Sequence, residues 1–166
     1  MTAVAPELES KAREVLAVCE RAKLMIATAE SCTGGLIAAA LTAIPGSSAV
    51  VERGFVTYSN AAKTELLRVP ESLLERYGAV SHNVALAMAE GALARSKADA
   101  TVAVTGVAGP TGGTADKPVG LVHIVAAYRG RPALHERHLF TGDRDAIRLA
   151  SALAAMELLI RRVREG

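Results

Sequence analysis

The stretch T-A-E-S-C-T-G-G, Thr28 to Gly35, sets three candidate nucleophiles, Ser31, Cys32 and Thr33, in a row ahead of two glycines. It follows the apolar run LMIA and precedes the alanine-rich LIAAAL. That order reads as a strand turning into a helix. The first N–H groups of a helix have no partner within it, and its dipole favours negative charge there. A hydroxyl attacking a carbonyl at such a place creates an oxyanion that those N–H groups can receive. Gly34 and Gly35 let a substrate approach the backbone closely. The same residues serve equally for plain N-capping by Ser31 or Thr33, so both roles stay open locally. Cys32 is a rival nucleophile, because a helix start lowers a thiol's pKa. The segment fits neither the dinucleotide fingerprint nor the Walker phosphate loop.

A serine nucleophile needs a base. His135 and His138 are three apart on an expected strand, face opposite sides and make a poor metal pair. His123 sits in an apolar run and reads as a packed core histidine; His82 stands at a helix start. No G-x-S-x-G elbow, S-x-x-K motif or clustered set of metal ligands occurs. Lys63 is the better candidate. With Asn60 as cap, it falls in the first turn of a helix, where the positive helix end disfavours an ammonium. Partial burial would lower its pKa further and supply the neutral amine a general base requires. Tyr58, at the preceding strand end, is placed to pass a proton or hold the nucleophile. A solvated surface lysine is the plainer alternative. Thr105 closes another strand, and Gly106 and Gly109 open a loop with five glycines between Gly106 and Gly120, more than a turn needs. Asp143 looks like an N-cap, and the adjacent Arg144 suits a phosphate or an acidic partner.

The elements that must position these groups alternate between helical and strand periodicity. Leu8 to Arg21 is an amphipathic helix, LMIATA a buried strand, Gly34 to Thr42 a helix ending before Pro45-Gly46. Val50 to Tyr58 is a strand, followed by a helix from Ala61 to Leu67, a short one over ESLLERY, and a longer one from Ser81 or His82 to Arg95. Ala100 to Thr105 is a third apolar strand. VGLVHIVAAYRG and ALHERHLF form a hairpin, and Asp143 to Arg164 a closing helix. This pattern is an α/β fold, a three-layer α/β/α sandwich with a mixed sheet. Ligands in such folds gather where strands end and helices begin, where TAESCTGG, TYSNAAK and the glycine-rich loop all fall.

The 166 residues suit one domain, 1–166. Net charge is +2, and only five residues are Tyr or Phe, with no Trp; that balance excludes a polyanion binder or a base-stacking platform, so no nucleic-acid partner is expected. No apolar run is long enough to span a bilayer, and charges fill the N-terminal stretch where a signal peptide is apolar, so a cytoplasmic, membrane-free protein is expected. Cys19 and Cys32 show neither disulfide nor zinc spacing.

Taken together, T-A-E-S-C-T-G-G, G-F-V-T-Y-S-N-x-x-K, T-G-x-A-G-P-x-G-G-x-x-x-K-P-V-G and F-x-G-D-R resemble the C-terminal domain of the CinA competence/damage-inducible proteins, over about Leu24 to Arg148. Stand-alone versions look like nicotinamide-nucleotide amidases, which convert nicotinamide mononucleotide and water to nicotinate mononucleotide and ammonia. The resemblance implies Ser31 as nucleophile and Lys63 as base, with Tyr58 and Thr105 assisting. It implies no metal or other cofactor, and a homo-oligomer. Thr33, Gly34 and Gly35 are then the expected oxyanion and substrate contacts, with Gly106, Gly109, Arg144 and, more weakly, Ser47 and Ser48 for the phosphate. Larger family members carry an N-terminal molybdopterin-binding-like domain for which this length leaves no room. A non-catalytic nucleotide-binding or regulatory module built on the same loops, and a cysteine hydrolase using Cys32, are the alternatives.

Overall fold

The computed structural model describes residues 4–165. Among the described residues, six α-helices surround one five-stranded sheet. The elements are α1 (Pro6–Arg21), β1 (Ile26–Glu30), α2 (Leu36–Thr42), β2 (Val51–Val56), α3 (Asn60–Leu67), α4 (Glu71–Tyr77), α5 (His82–Ala94), β3 (Ala100–Gly106), β4 (Leu121–Tyr128), β5 (Arg131–Leu139) and α6 (Arg144–Arg164), with a 3-10 turn at Ser47–Ala49. The sheet order is β2-β1-β3-β4-β5. β2, β1 and β3 run parallel, while β4 and β5 follow as an antiparallel hairpin. The sheet is therefore mixed, as the apolar strand–helix alternation and late hairpin predict.

Two apolar clusters make it three-layered. One packs α1, α2 and α6 on one face, around Ile26, Val102, Val104 and Ile124. The other packs α5, with Leu67 of α3, on the opposite face against Ala29, Ala103 and Val125. Successive strand residues point to opposite faces, so β1 and β3 feed both layers and are buried almost throughout. That explains why they read as unbroken apolar runs rather than alternating ones. β5, at the sheet edge, keeps its Arg, Glu and His residues partly exposed.

Sequence boundaries hold to within about two residues, and the departures have local causes. The helix expected from Gly34 begins at Leu36, because Gly34 and Gly35 take left-handed φ of +59° and +101° to reverse the chain first. Ser59, not Asn60, caps α3: its hydroxyl accepts the Ala62 N–H at 3.0 Å from an extended backbone. Ser81 caps α5 and Asp143 caps α6 in the same way.

β1 connects outward to β2, whereas the chain returns past β1 to β3. The crevice above the carboxyl ends of these three strands is thus a topological switch point, where ligands collect in open α/β sheets.

Candidate active site

The three parallel strands deliver one feature each to this crevice. Ser31 follows β1, Tyr58 follows β2, and Thr105 lies at the end of β3. A cleft of about 360 Å³ is lined by Ser31, Cys32, Tyr58, Asn60, Lys63, Ala79, Val80, Thr105, Arg144 and the loop from Gly106 to Gly112. A neighbouring groove of about 400 Å³ between α3 and α4, with Glu71, Leu74 and Glu75, shares Asn60 with it but is lined by no serine or cysteine, and its Thr64 hydroxyl is given to the Val69 carbonyl.

Lys63 and Ser31 meet in the cleft. The Lys63 Nζ lies 2.9 Å from the Ser31 Oγ, 3.0 Å from the Thr57 carbonyl oxygen and 3.2 Å from the Tyr58 carbonyl oxygen. Lys63 is only 1% exposed. Burial lowers its pKa below the ordinary lysine value, because an ammonium loses its hydration there. All three partners are uncharged. A neutral amine has two N–H bonds and one lone pair. In the neutral form, with the N–H bonds given to the two carbonyls, the lone pair would be turned to the Ser31 hydroxyl. That is the geometry of a base about to take a proton.

The turn that carries Ser31 is braced by groups the sequence reading assigned no role. Glu30, wholly buried, accepts the Thr33 hydroxyl at 2.6 Å and the Ile37 N–H at 3.0 Å on Oε1, and the Ala38 N–H at 3.0 Å on Oε2. Arg148 donates to the carbonyls of Cys32 and Thr33, at 3.2 and 2.9 Å. The available signals were a glutamate ending an apolar strand six residues before a helix, and an arginine one helical turn after Arg144.

These contacts correct several expectations. Thr33 is fully buried and spends its hydroxyl on Glu30, and neither it nor Gly34 or Gly35 lines the cleft. The Gly34 N–H is already given to the Ser31 carbonyl at 3.0 Å. The first α2 amides face Glu30, so the protein's own carboxylate occupies the place where an external anion was expected. Cys32 is buried, and desolvation first, then the nearby Glu30, raises its pKa to about 11 instead of the lowering expected at a helix start. Its thiol stays protonated at neutral pH, and the thiolate is the attacking form.

The cleft rim is more open. Tyr58 is 61% exposed; its hydroxyl accepts from Arg144 at 3.1 Å, and its contact with Lys63 is through the backbone carbonyl. Arg144 also donates to the Gly109 carbonyl at 2.6 Å. Thr105 donates to the Ala79 carbonyl at 2.9 Å and so anchors the Ala79–Val80 wall. Gly106 packs against β4, where a Cβ would meet Val122 and the Leu121 carbonyl. Asn60, released from capping, joins the cleft lining. Ser48 does not fit the phosphate role: its 3-10 turn leads into the start of β2, at the opposite end of the sheet from Ser31. Ser47 shares that turn. The histidines lie outside the cleft lining. The His123 Nδ1 lies 2.9 Å from the His135 Nε2, and His135 stacks on His82.

Residues 8–163 match the CinA C-terminal domain family. The chain belongs to that family. It is 54% identical over 155 residues to a CinA-like protein of Akkermansia muciniphila, covering 92% of this chain and 37% of that protein. It spans about a third of the length of most of the curated relatives it matches. An Enterobacter agglomerans protein named nicotinamide-nucleotide amidohydrolase PncC is 54% identical over 136 residues, 82% of this chain and 83% of that protein. The crystal structure of the competence/damage inducible protein CihA from Agrobacterium tumefaciens superposes with a TM-score of 0.94 at 51% identity, covering 97% of this chain and 98% of that one. The CinA fold is thereby shared over nearly the whole CinA-type chain. No helix among the described residues is long and apolar enough to cross a membrane.

Proposed function

We propose that this CinA-family chain is an amidohydrolase that deamidates nicotinamide mononucleotide to nicotinate mononucleotide and ammonia. The observation that carries the reading is the buried Ser31–Lys63 contact at 2.9 Å, with two backbone carbonyls beside the amine to take its remaining N–H bonds. The similarity to the protein named nicotinamide-nucleotide amidohydrolase supports the substrate.

Neutral Lys63 takes the Ser31 proton as Oγ attacks the carboxamide carbon. The carbonyl oxygen becomes an oxyanion. With the Gly34 N–H and the first α2 amides taken, the Cys32 N–H, next to the nucleophile, is the backbone donor left closest in the chain to it. The C–N bond then breaks as Lys63 returns the proton to nitrogen, and ammonia leaves an ester on Ser31. A water, deprotonated by Lys63, attacks that ester. The carboxylate product departs and Ser31 regains its proton. No step calls for a metal. Arg144, which carries the cleft's fixed positive charge, suits the substrate phosphate at the rim, and the backbone around Gly109 and Gly112 suits the ribose and phosphate oxygens.

The test is ammonia release from nicotinamide mononucleotide by the purified chain, with nucleotide binding measured in parallel by calorimetry. The proposal expects stoichiometric ammonia and nicotinate mononucleotide. Tight binding without ammonia would replace it with the binding-module reading.

A further inference from the structure

None of the steps above uses Glu30, although it is a wholly buried carboxylate one residue before the nucleophile. We propose that Glu30 and Arg148 are positioning residues that hold the nucleophile turn from two sides and so aim Ser31 at Lys63. The inference rests on the reading of Ser31 as the attacking group.

Sheet pairing fixes the backbone only as far as the nucleophile. The Thr57 N–H donates to the Glu30 carbonyl at 2.8 Å, and the Ser31 N–H donates to the Val104 carbonyl at 3.0 Å. Strand alternation sends the two side chains to opposite faces. Ser31 goes toward Lys63 and Glu30 goes under α2. From Cys32 to Gly35 the chain has left the sheet, and its two glycines add freedom instead of restraint. Glu30 gathers the donors of this stretch, the Thr33 hydroxyl and the first α2 amides. Arg148 gathers its acceptors, the carbonyls of Cys32 and Thr33. One acidic and one basic side chain thus satisfy the donors and the acceptors of this turn and the helix start that follows it. A nucleophile displaced by less than an ångström loses its near-attack geometry while the substrate still binds at the rim.

The variants Glu30→Gln, Thr33→Val, Thr33→Ser and Arg148→Lys separate positioning from mere folding. A glutamine retains one acceptor oxygen but turns an NH₂ toward an N–H donor. Valine keeps the shape of threonine without its hydroxyl. Two readouts are used: steady-state ammonia release from nicotinamide mononucleotide, and the rate of Ser31 modification by a fluorophosphonate probe, followed by mass spectrometry. In E30Q and T33V, kcat is expected to fall about tenfold or more with KM within about threefold of wild type. The labelling rate should fall in the same proportion, and the pH midpoint should stay in place because the surroundings of Lys63 are intact. T33S, which restores the hydroxyl, should recover to within about threefold of wild type, and R148K, which lacks the fork, should not. If E30Q fails to fold, the Thr33 pair decides. An active wild type with T33V and T33S alike, or losses confined to KM, would overturn the positioning role alone. A wild type that neither releases ammonia nor labels at Ser31 would overturn the amidase reading and this inference with it.

Discussion

The turn around Ser31 and the rim around Arg144 face the same cleft but are built oppositely. In the turn, the side chains of Glu30, Thr33 and Lys63 are all buried and all hydrogen-bonded inside the protein. At the rim, Tyr58 and Arg144 are exposed and hold each other by one 3.1 Å contact across the cleft. A buried base keeps the lowered pKa that chemistry needs, and its contacts with two backbone carbonyls keep it aimed. An exposed arginine can exchange a tyrosine hydroxyl for a phosphate oxygen at little cost, because that swap replaces a neutral acceptor with a charged one. The fold thus separates the group that must not move from the group that must adapt. Damage to the turn should appear in kcat and damage to the rim in KM.

The sharpest way to break this contrast is Ser31→Ala, expected to lower kcat by on the order of 10³-fold or more while leaving KM for nicotinamide mononucleotide nearly unchanged. Activity comparable to wild type in steady-state ammonia assays would remove Ser31 from the chemistry. Lys63→Met should cost a similar factor in kcat. Its thermal unfolding temperature should be at least that of wild type, because a lysine whose ammonium form is disfavoured by burial opposes folding at neutral pH. The sign follows from the lowered folded-state value: between that value and 10.5 the unfolded chain holds more protons than the folded chain, so the native residue's cost to stability grows as pH falls through that interval and is full below it. A collapse in melting temperature for this variant would show that Lys63 is charged and paired in the native state.

The rim should respond differently. Arg144→Ala is expected to raise KM about 10- to 100-fold, the loss of one charge-assisted contact, with kcat within about threefold. A kcat defect as large as that of Ser31→Ala would erase the distinction between the two regions. Cys32→Ala should leave ammonia release within about threefold, since a thiol with a pKa near 11 is not the attacking form at neutral pH. Loss of activity there, with Ser31→Ala active, would move the nucleophile.

Away from both regions, His123 gives a smaller, pH-dependent effect. Burial first, then its histidine neighbours, lowers its pKa from 6.5 to about 4. Arg137 and Lys117 add to that shift; His135 faces it directly, and His82 stacks on His135. Its neutral form is the native one, so its contribution to stability is full above pH 6.5 and declines as pH falls from 6.5 toward 4. Melting curves across that interval should show the decline, and His123→Gln should flatten it. A wild-type melting temperature that is level from pH 7 to 4.5 would contradict this assignment.

The sequence made the strand-and-helix order legible because its apolar periods are consistent: β1 and β3 are unbroken where both faces are covered, and α1 is amphipathic where one face is. The positions of Ser31 and Thr105 at strand ends, and of Lys63 in the helix after β2, followed from the same pattern. What sequence could not show was which of two adjacent polar residues does which task. Ser59 and Asn60 are both good caps, and only the extended backbone at Ser59 makes it the cap and frees Asn60 for the cleft. Thr33 reads as a ligand contact until Glu30, three residues earlier, is seen to take its hydroxyl. Arg148 is distant in sequence from Cys32, so its contact depends on how α6 packs beside the turn. Ser48 was misplaced because a serine after Pro-Gly resembles a loop contact whichever end of the sheet it occupies.

The central claim, that a lysine kept neutral by burial serves as the base for Ser31, is tested most directly by the pH dependence of kcat/KM for ammonia release. The account predicts a rate that rises with pH through a midpoint clearly below 10.5, with that limb gone from the residual activity of Lys63→Met. A midpoint at or above 10.5, toward the value near 11 of the Cys32 thiol, would contradict it.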